Sequence, residues 1–256
     1  MTPIEKAEAA LNTRIERLQI NLREAKSDAA QRFLFQSLVV CIGVGDALSD
    51  YVKMIGQFAQ GRHAELKRTH DTLTAQHAEL LKSGNELLQL FKANPTDKAI
   101  RKDIDAAQQA MATIQKTLRR GANALQRDIA PSMAMIDKIA LSVRRFGEAD
   151  QTDALKRVIK MIVEQARDLY QTQPSLPTKN IVDAAAWENS ANAEIDQAIS
   201  PAEAYARAGY QVMLALEVMT LAVSPSPPHT TEEAVKSAND SVTKRFRSIT
   251  ARFRSG

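Results

Sequence analysis

Leucine recurs every seven residues at Leu66, Leu73, Leu80 and Leu87, and His63, His70, His77, Gly84 and Phe91 fill the alternate places along the same stripe. A mean spacing of 3.5 residues is the signature of a coiled-coil seam. Past Asn94-Pro95, which stops a helix, a second seam runs through Ile100, Ile104, Ala107, Met111, Ile114, Leu118, Gly121 and Leu125. Folding the chain back at Asn94-Pro95-Thr96 pairs the layers in order. Leu87 then meets Ile104, Gly84 meets Ala107, Leu80 meets Met111, His77 meets Ile114, Leu73 meets Leu118 and His70 meets Gly121. The pattern predicts an antiparallel helical hairpin whose arm is on the order of 40 Å long at the usual helical rise.

The rest of the chain also reads as helix. Thr2-Pro3-Ile4-Glu5 combines a cap, a proline at the first helical position and a glutamate able to return a capping bond. A seam follows at Leu11, Ile15, Leu18, Leu22, Ala25 and Ala29, which predicts one long first helix. From Phe33 to Ile42 the apolar residues respect no single face, so this stretch is expected to be the central core. Gly61 is the expected break before the hairpin, and Pro131 is expected to kink or end the helix that contains it. Asp150 is placed to cap a helix whose buried side holds Leu155, Val158, Ile159, Ile162, Ala166 and Leu169.

Thr172 to Thr178, with two prolines, reads as a linker. A helix containing Trp187 follows, from about Asn180 to Ile199. Ser200-Pro201-Ala202-Glu203 then opens another helix, with Tyr205, Val212, Met213, Leu216 and Met219 inside. Ser224-Pro225-Ser226-Pro227-Pro228 reads as a stiff spacer, and Thr230 with Glu233 forms a capping box for the last helix. The expected fold is all-α: an elongated helical bundle with a long antiparallel coiled-coil hairpin. The expected organisation is a long-helix body over 1–172 with the hairpin at 62–130, a helical pair at 179–223 packing on that body, and a basic amphipathic helix at 230–256.

Composition agrees with long helices, since only nine Gly and nine Pro interrupt 256 residues. The net charge of +4 is local, because residues 229–256 hold six Lys or Arg against three acids. A polyanion-binding surface therefore belongs to the C-terminus. Cys41 is the only cysteine and sits in an apolar run, which predicts a buried thiol in a reducing compartment. The N-terminus lacks a basic region and an apolar core of the signal-peptide kind. The most apolar window, Phe33 to Leu48, is shorter than the roughly 20 residues that cross a bilayer. A cytoplasmic location is the expectation, with peripheral membrane contact as an alternative.

Candidate chemistry is sparse. His63, His70 and His77 lie on one stripe but about 10.5 Å apart along the axis, too far to share a metal. Imidazoles in an apolar seam instead suggest a pH-sensitive hairpin, although Leu81 and Leu88 are expected to widen the stripe and leave the histidines at its margin. Asp46 and Asp50, one turn apart, are the only carboxylate pair beside the apolar run, and an enzyme reading would need a polar cavity there. No phosphate loop, nucleophile elbow or Glu-x-x-His pair appears. No cofactor, metal or catalytic residue is assigned.

The last helix has an apolar stripe of Val235, Ala238, Val242, Phe246, Ile249 and Phe253, with Lys244, Arg245, Arg247, Arg252 and Arg254 around it. Such a helix can dock on the body, enter a partner's groove or lie on an anionic membrane. Nucleic-acid binding is disfavoured by a near-neutral body and 5% aromatic content. The resulting expectation is a non-enzymatic scaffold or adaptor that binds protein partners and self-associates through the first-helix seam. The alternative is a peripheral membrane-binding or membrane-remodelling protein that uses Lys244, Arg245, Phe246, Arg247, Ile249, Arg252, Phe253 and Arg254.

Overall fold

The structure, a computed structural model, describes residues 1–127, 129–172 and 182–254, with the side chains of 125–131 left aside. Among these residues there are eight α-helices and no strand: α1 (Pro3–Glu24), α2 (Asp28–Ala93), α3 (Lys98–Arg127), α4 (Ile129–Glu148), α5 (Thr152–Thr172), α6 (Ala184–Asp196), α7 (Pro201–Ala222) and α8 (Thr231–Arg254). The fold is all-α. The chain divides into two compact units, one of Met1–Phe58 with Ala134–Gly256 and one of Ala59–Met133.

In the first unit α1 opens as its sequence dictates. The Thr2 hydroxyl accepts from the Glu5 N–H at 3.2 Å, and the Thr2 N–H donates to the Glu5 carboxylate at 2.8 Å. The single long first helix expected from the seam is not formed, because α1 stops at Glu24. Ser27 then starts α2 by accepting from the Ala30 N–H at 3.2 Å, while the Gln31 side chain donates to the Ala25 carbonyl at 3.0 Å. A local cap overrides a hydrophobic period that runs on through Ala25 and Ala29. The chain folds back there, so the Cys41 thiol on α2 reaches the Leu11 carbonyl of α1 at 3.8 Å. Leu11 and Leu18 of the α1 seam are buried within the unit.

The centre of this unit is α7. It is buried all round, from Ala204 and Tyr205 through Val212, Met213 and Leu216 to Met219 and Ala222. It packs against α5, α6 and α8. Phe33, Leu34 and Phe35, expected at the centre, are half-buried, and full burial on α2 begins at Ser37. Gly209 makes close packing at α7 workable, since a Cβ there would lie 2.7 Å from Val40 Cγ2 and 2.9 Å from Phe146 Cζ. A polar chain ties α6 to α7: the Trp187 indole donates to Gln211 at 2.8 Å, and Gln211 donates to Glu194 at 2.9 Å.

Two boundary expectations change. The helix expected over 180–199 spans Ala184–Asp196, with the Asp183 carboxylate accepting from the Ala186 N–H. Gln151 rather than Asp150 begins α5, its carbonyl accepting from Ala154 and Leu155. The linker expected at 172–178 falls almost wholly outside the described residues. The Ser224–Pro228 spacer is non-helical, after which α8 buries Ala234, Ala238, Val242 and Ile249.

The second unit contains the hairpin. α2 runs through Gly56 and Gly61 without a break, so neither glycine ends the helix. Without tertiary opposition, one glycine costs only about 1 kcal/mol. The chain turns at Asn94-Pro95-Thr96, and the Asp97 carboxylate caps α3 by accepting from Ala99 at 2.8 Å and Ile100 at 3.2 Å. Across the seam, Gln115 and His77 lie 3.1 Å apart through their nitrogens, and Met111 Cε lies 3.7 Å from where a Cβ on Gly84 would stand. Antiparallel pairing follows from these contacts. The expected kink at Pro131 adjoins Asp128, which lies outside the described residues.

Candidate functional site

One cleft of about 760 Å³ opens in the first unit between α1, α2, α5 and α7. Leu18, Phe33, Leu34 and Leu155 give it an apolar wall, and Arg14, Arg17 and Asp150 give it a charged one. Both guanidinium groups donate to the same oxygen of Asp150, Arg14 at 2.5 Å and Arg17 at 3.3 Å. Asp150 is 65% exposed and Arg17 56%, whereas Arg14 is only 13% exposed. Arg14 also lies over the Tyr205 ring at 4.3 Å, and its Nε is buried without a hydrogen-bond partner. The first turns of α2, α5 and α7 all contribute lining residues: Ala29 and Ala30, Thr152, and Pro201 and Ala202.

Beneath this wall lies Cys41. The Tyr205 hydroxyl donates to its sulfur at 3.6 Å. Burial pushes the Cys41 thiol up to about 11, against the smaller opposing pull of Tyr205 and Arg14. A thiol held neutral in this way is not a nucleophile. The Tyr205 hydroxyl is likewise raised well above its ordinary range, chiefly by burial.

The eight α8 residues expected at a membrane or partner do not share one free face. Ile249 is 2% exposed and belongs to the core, and Phe246 is packed against it. Phe253 is 43% exposed and meets Phe35 edge-on at 5.6 Å. Arg245 is pinned, donating to Glu217 on α7 and, at 2.9 Å, to Asp50 on α2. Burial opposes its charge, but Glu217 and Asp50 outweigh that and hold the guanidinium above its ordinary range. Lys244, Arg247, Arg252 and Arg254 lie on the exposed side. Asp50 is thus half of an ion-pair network rather than of a carboxylate pair, and neither it nor Asp46 lines the cleft.

In the hairpin, the seam is narrower than the stripe read from the leucines. His63, His70 and His77 are half-buried within it, together with Leu66, Leu73, Leu80 and Leu87. Leu81 and Leu88 lie outside it, 50% and 42% exposed. The histidines therefore occupy the seam and not its margin. His77 meets Gln115, and His70 approaches Asp71 at 3.8 Å while 34% exposed. Gly84 and Ile104 are the seam's buried positions, and the other described seam residues stay half open.

Among the described residues no cluster of three or more His, Cys, Asp or Glu has metal-binding geometry, and no helix is long and apolar enough to cross a membrane. The sequence reading missed Arg14, Arg17 and Tyr205 as a cluster. The available signal was a pair of arginines flanking the buried α1 seam. Comparison with protein-family models, with curated proteins and with solved structures finds no match.

Proposed function

We propose that the protein is a non-enzymatic helical interaction module, a scaffold or adaptor whose hairpin unit engages a protein partner. The observation that supports this is the half-open seam. Two helices alone cover a heptad seam poorly, and a core-facing helix needs a broader apolar stripe than one neighbour can bury. Leu81 and Leu88 are 50% and 42% exposed on α2, on one flank of that seam. A helix from a partner laid along them would bury leucine surface at about 25 cal/mol per Å² and complete the layers, in the manner of helix-in-groove recognition. The membrane reading has less behind it, since the apolar stripe of α8 is spent on the protein's own core.

The test is site-specific photo-crosslinking in cells, with the reactive side chain at position 81 or 88. Discrete protein adducts that an excess of the unlabelled protein competes away are expected. Adduct yields no greater than those from a reactive group at exposed Lys160, on the first unit, would defeat the proposal.

A further inference from the structure

We infer that the cleft between α1, α2, α5 and α7 is a binding site for a small organic carboxylate carrying an apolar body. Its volume of about 760 Å³ is in the range of small-ligand sites, which are mostly apolar with a few converging polar groups. Leu18, Phe33, Leu34 and Leu155 supply the apolar part.

The charged end is unbalanced toward cations. Two arginines share one oxygen of a single, mostly exposed carboxylate, so one positive charge is left over. Guanidinium forks bind carboxylates best in bidentate pairs, and here neither is engaged in that way by Asp150. Arg14 is fixed over Tyr205 with its Nε buried and unpartnered, so its placement is built before any ligand arrives. The positive ends of three helix first turns reinforce the same sign of potential.

Asp150 marks where a ligand carboxylate docks. It occupies the arginines from a solvent-exposed position, and an incoming carboxylate with an apolar tail displaces it while filling the cleft. Asp150 is then a competitor for the ligand. That gives the inference an unusual signature, because removing this residue improves binding.

Decanoate, used below its micellar concentration, is a suitable probe, with decanol and inorganic phosphate as controls. Binding to the full chain is measured by calorimetry, and shifts of amide signals near Leu18 and Thr152 locate it. Decanoate is expected to bind in preference to both controls. Arg17→Ala is expected to weaken it about tenfold or more, and Asp150→Asn to tighten it severalfold. Equal binding of decanol and decanoate, or indifference to both substitutions, would reduce the site to a greasy groove and overturn the inference. No binding at millimolar decanoate would overturn it as well. Both substituted residues are more than half exposed, and an unchanged thermal midpoint confirms that each variant is folded. These readouts are independent of the hairpin, so either proposal can fail alone.

Discussion

Gly209→Ala and Gly56→Ala make the same chemical change at two helical sites of the first unit, and the structure predicts opposite signs. At Gly209 the added methyl would stand 2.7 Å from Val40 Cγ2 and 2.9 Å from Phe146 Cζ, where ordinary contact begins at 3.4 Å. Val40 is 2% exposed and Phe146 0%, so neither swings into solvent. The neighbours must give by about 0.7 Å in a close-packed interior. Overpacking of this kind costs about 1–3 kcal/mol, and the helix-propensity gain returns at most about 1 kcal/mol. A net loss of up to about 2 kcal/mol is expected. At Gly56 nothing lies within 4 Å of the new Cβ, so the entropy saved on folding gives a gain of about 0.5–1 kcal/mol. Trp187, the sole tryptophan, reports urea unfolding of this unit through its fluorescence. The Gly209→Ala midpoint should fall and the Gly56→Ala midpoint rise at unchanged slope. A Gly209→Ala midpoint that stays level or rises would mean that the packing argument for α7 is wrong.

Two further outcomes follow from the core. Arg245→Ala leaves Glu217, 8% exposed, without its cation; a loss of about 2–3 kcal/mol is expected in thermal or urea unfolding, and a double-mutant cycle with Glu217→Gln should recover much of it. Cys41, pushed up from 9.0 to about 11 by burial, contributes stability that is fully present below about pH 9 and is lost as pH rises through about 11. Thiol reagents at pH 8 should therefore label it only at the rate of unfolding, and rapid labelling of the native protein would contradict its placement.

The hairpin was legible because periodicity alone specifies it: a 3.5-residue seam, a proline turn and a second seam leave one economical pairing. What failed there was the weight given to Leu81 and Leu88. Hydrophobicity argued for including them, but two helices share only a narrow strip, and geometry left them outside while His70 and His77 stayed in. The stop after α1 was obscured for a related reason, since the heptad runs on through Ala29 while the Ser27 cap acts locally. Tertiary partnerships were the least legible. Arg14 and Asp150 are 136 positions apart, as nothing in either segment announces. The basic stretch of α8 read as one surface, yet Asp50 and Glu217 take Arg245 inward.

Hydrogen exchange, resolved amide by amide, tests most directly whether the hairpin seam is half open and incomplete by itself. In the isolated chain, amides of α2 between Leu66 and Leu87 should open at free energies several kcal/mol below those of α7, where burial is continuous. Protection of these hairpin amides equal to that of Val212–Met219 would mean a seam already closed, with nothing left for a partner to complete.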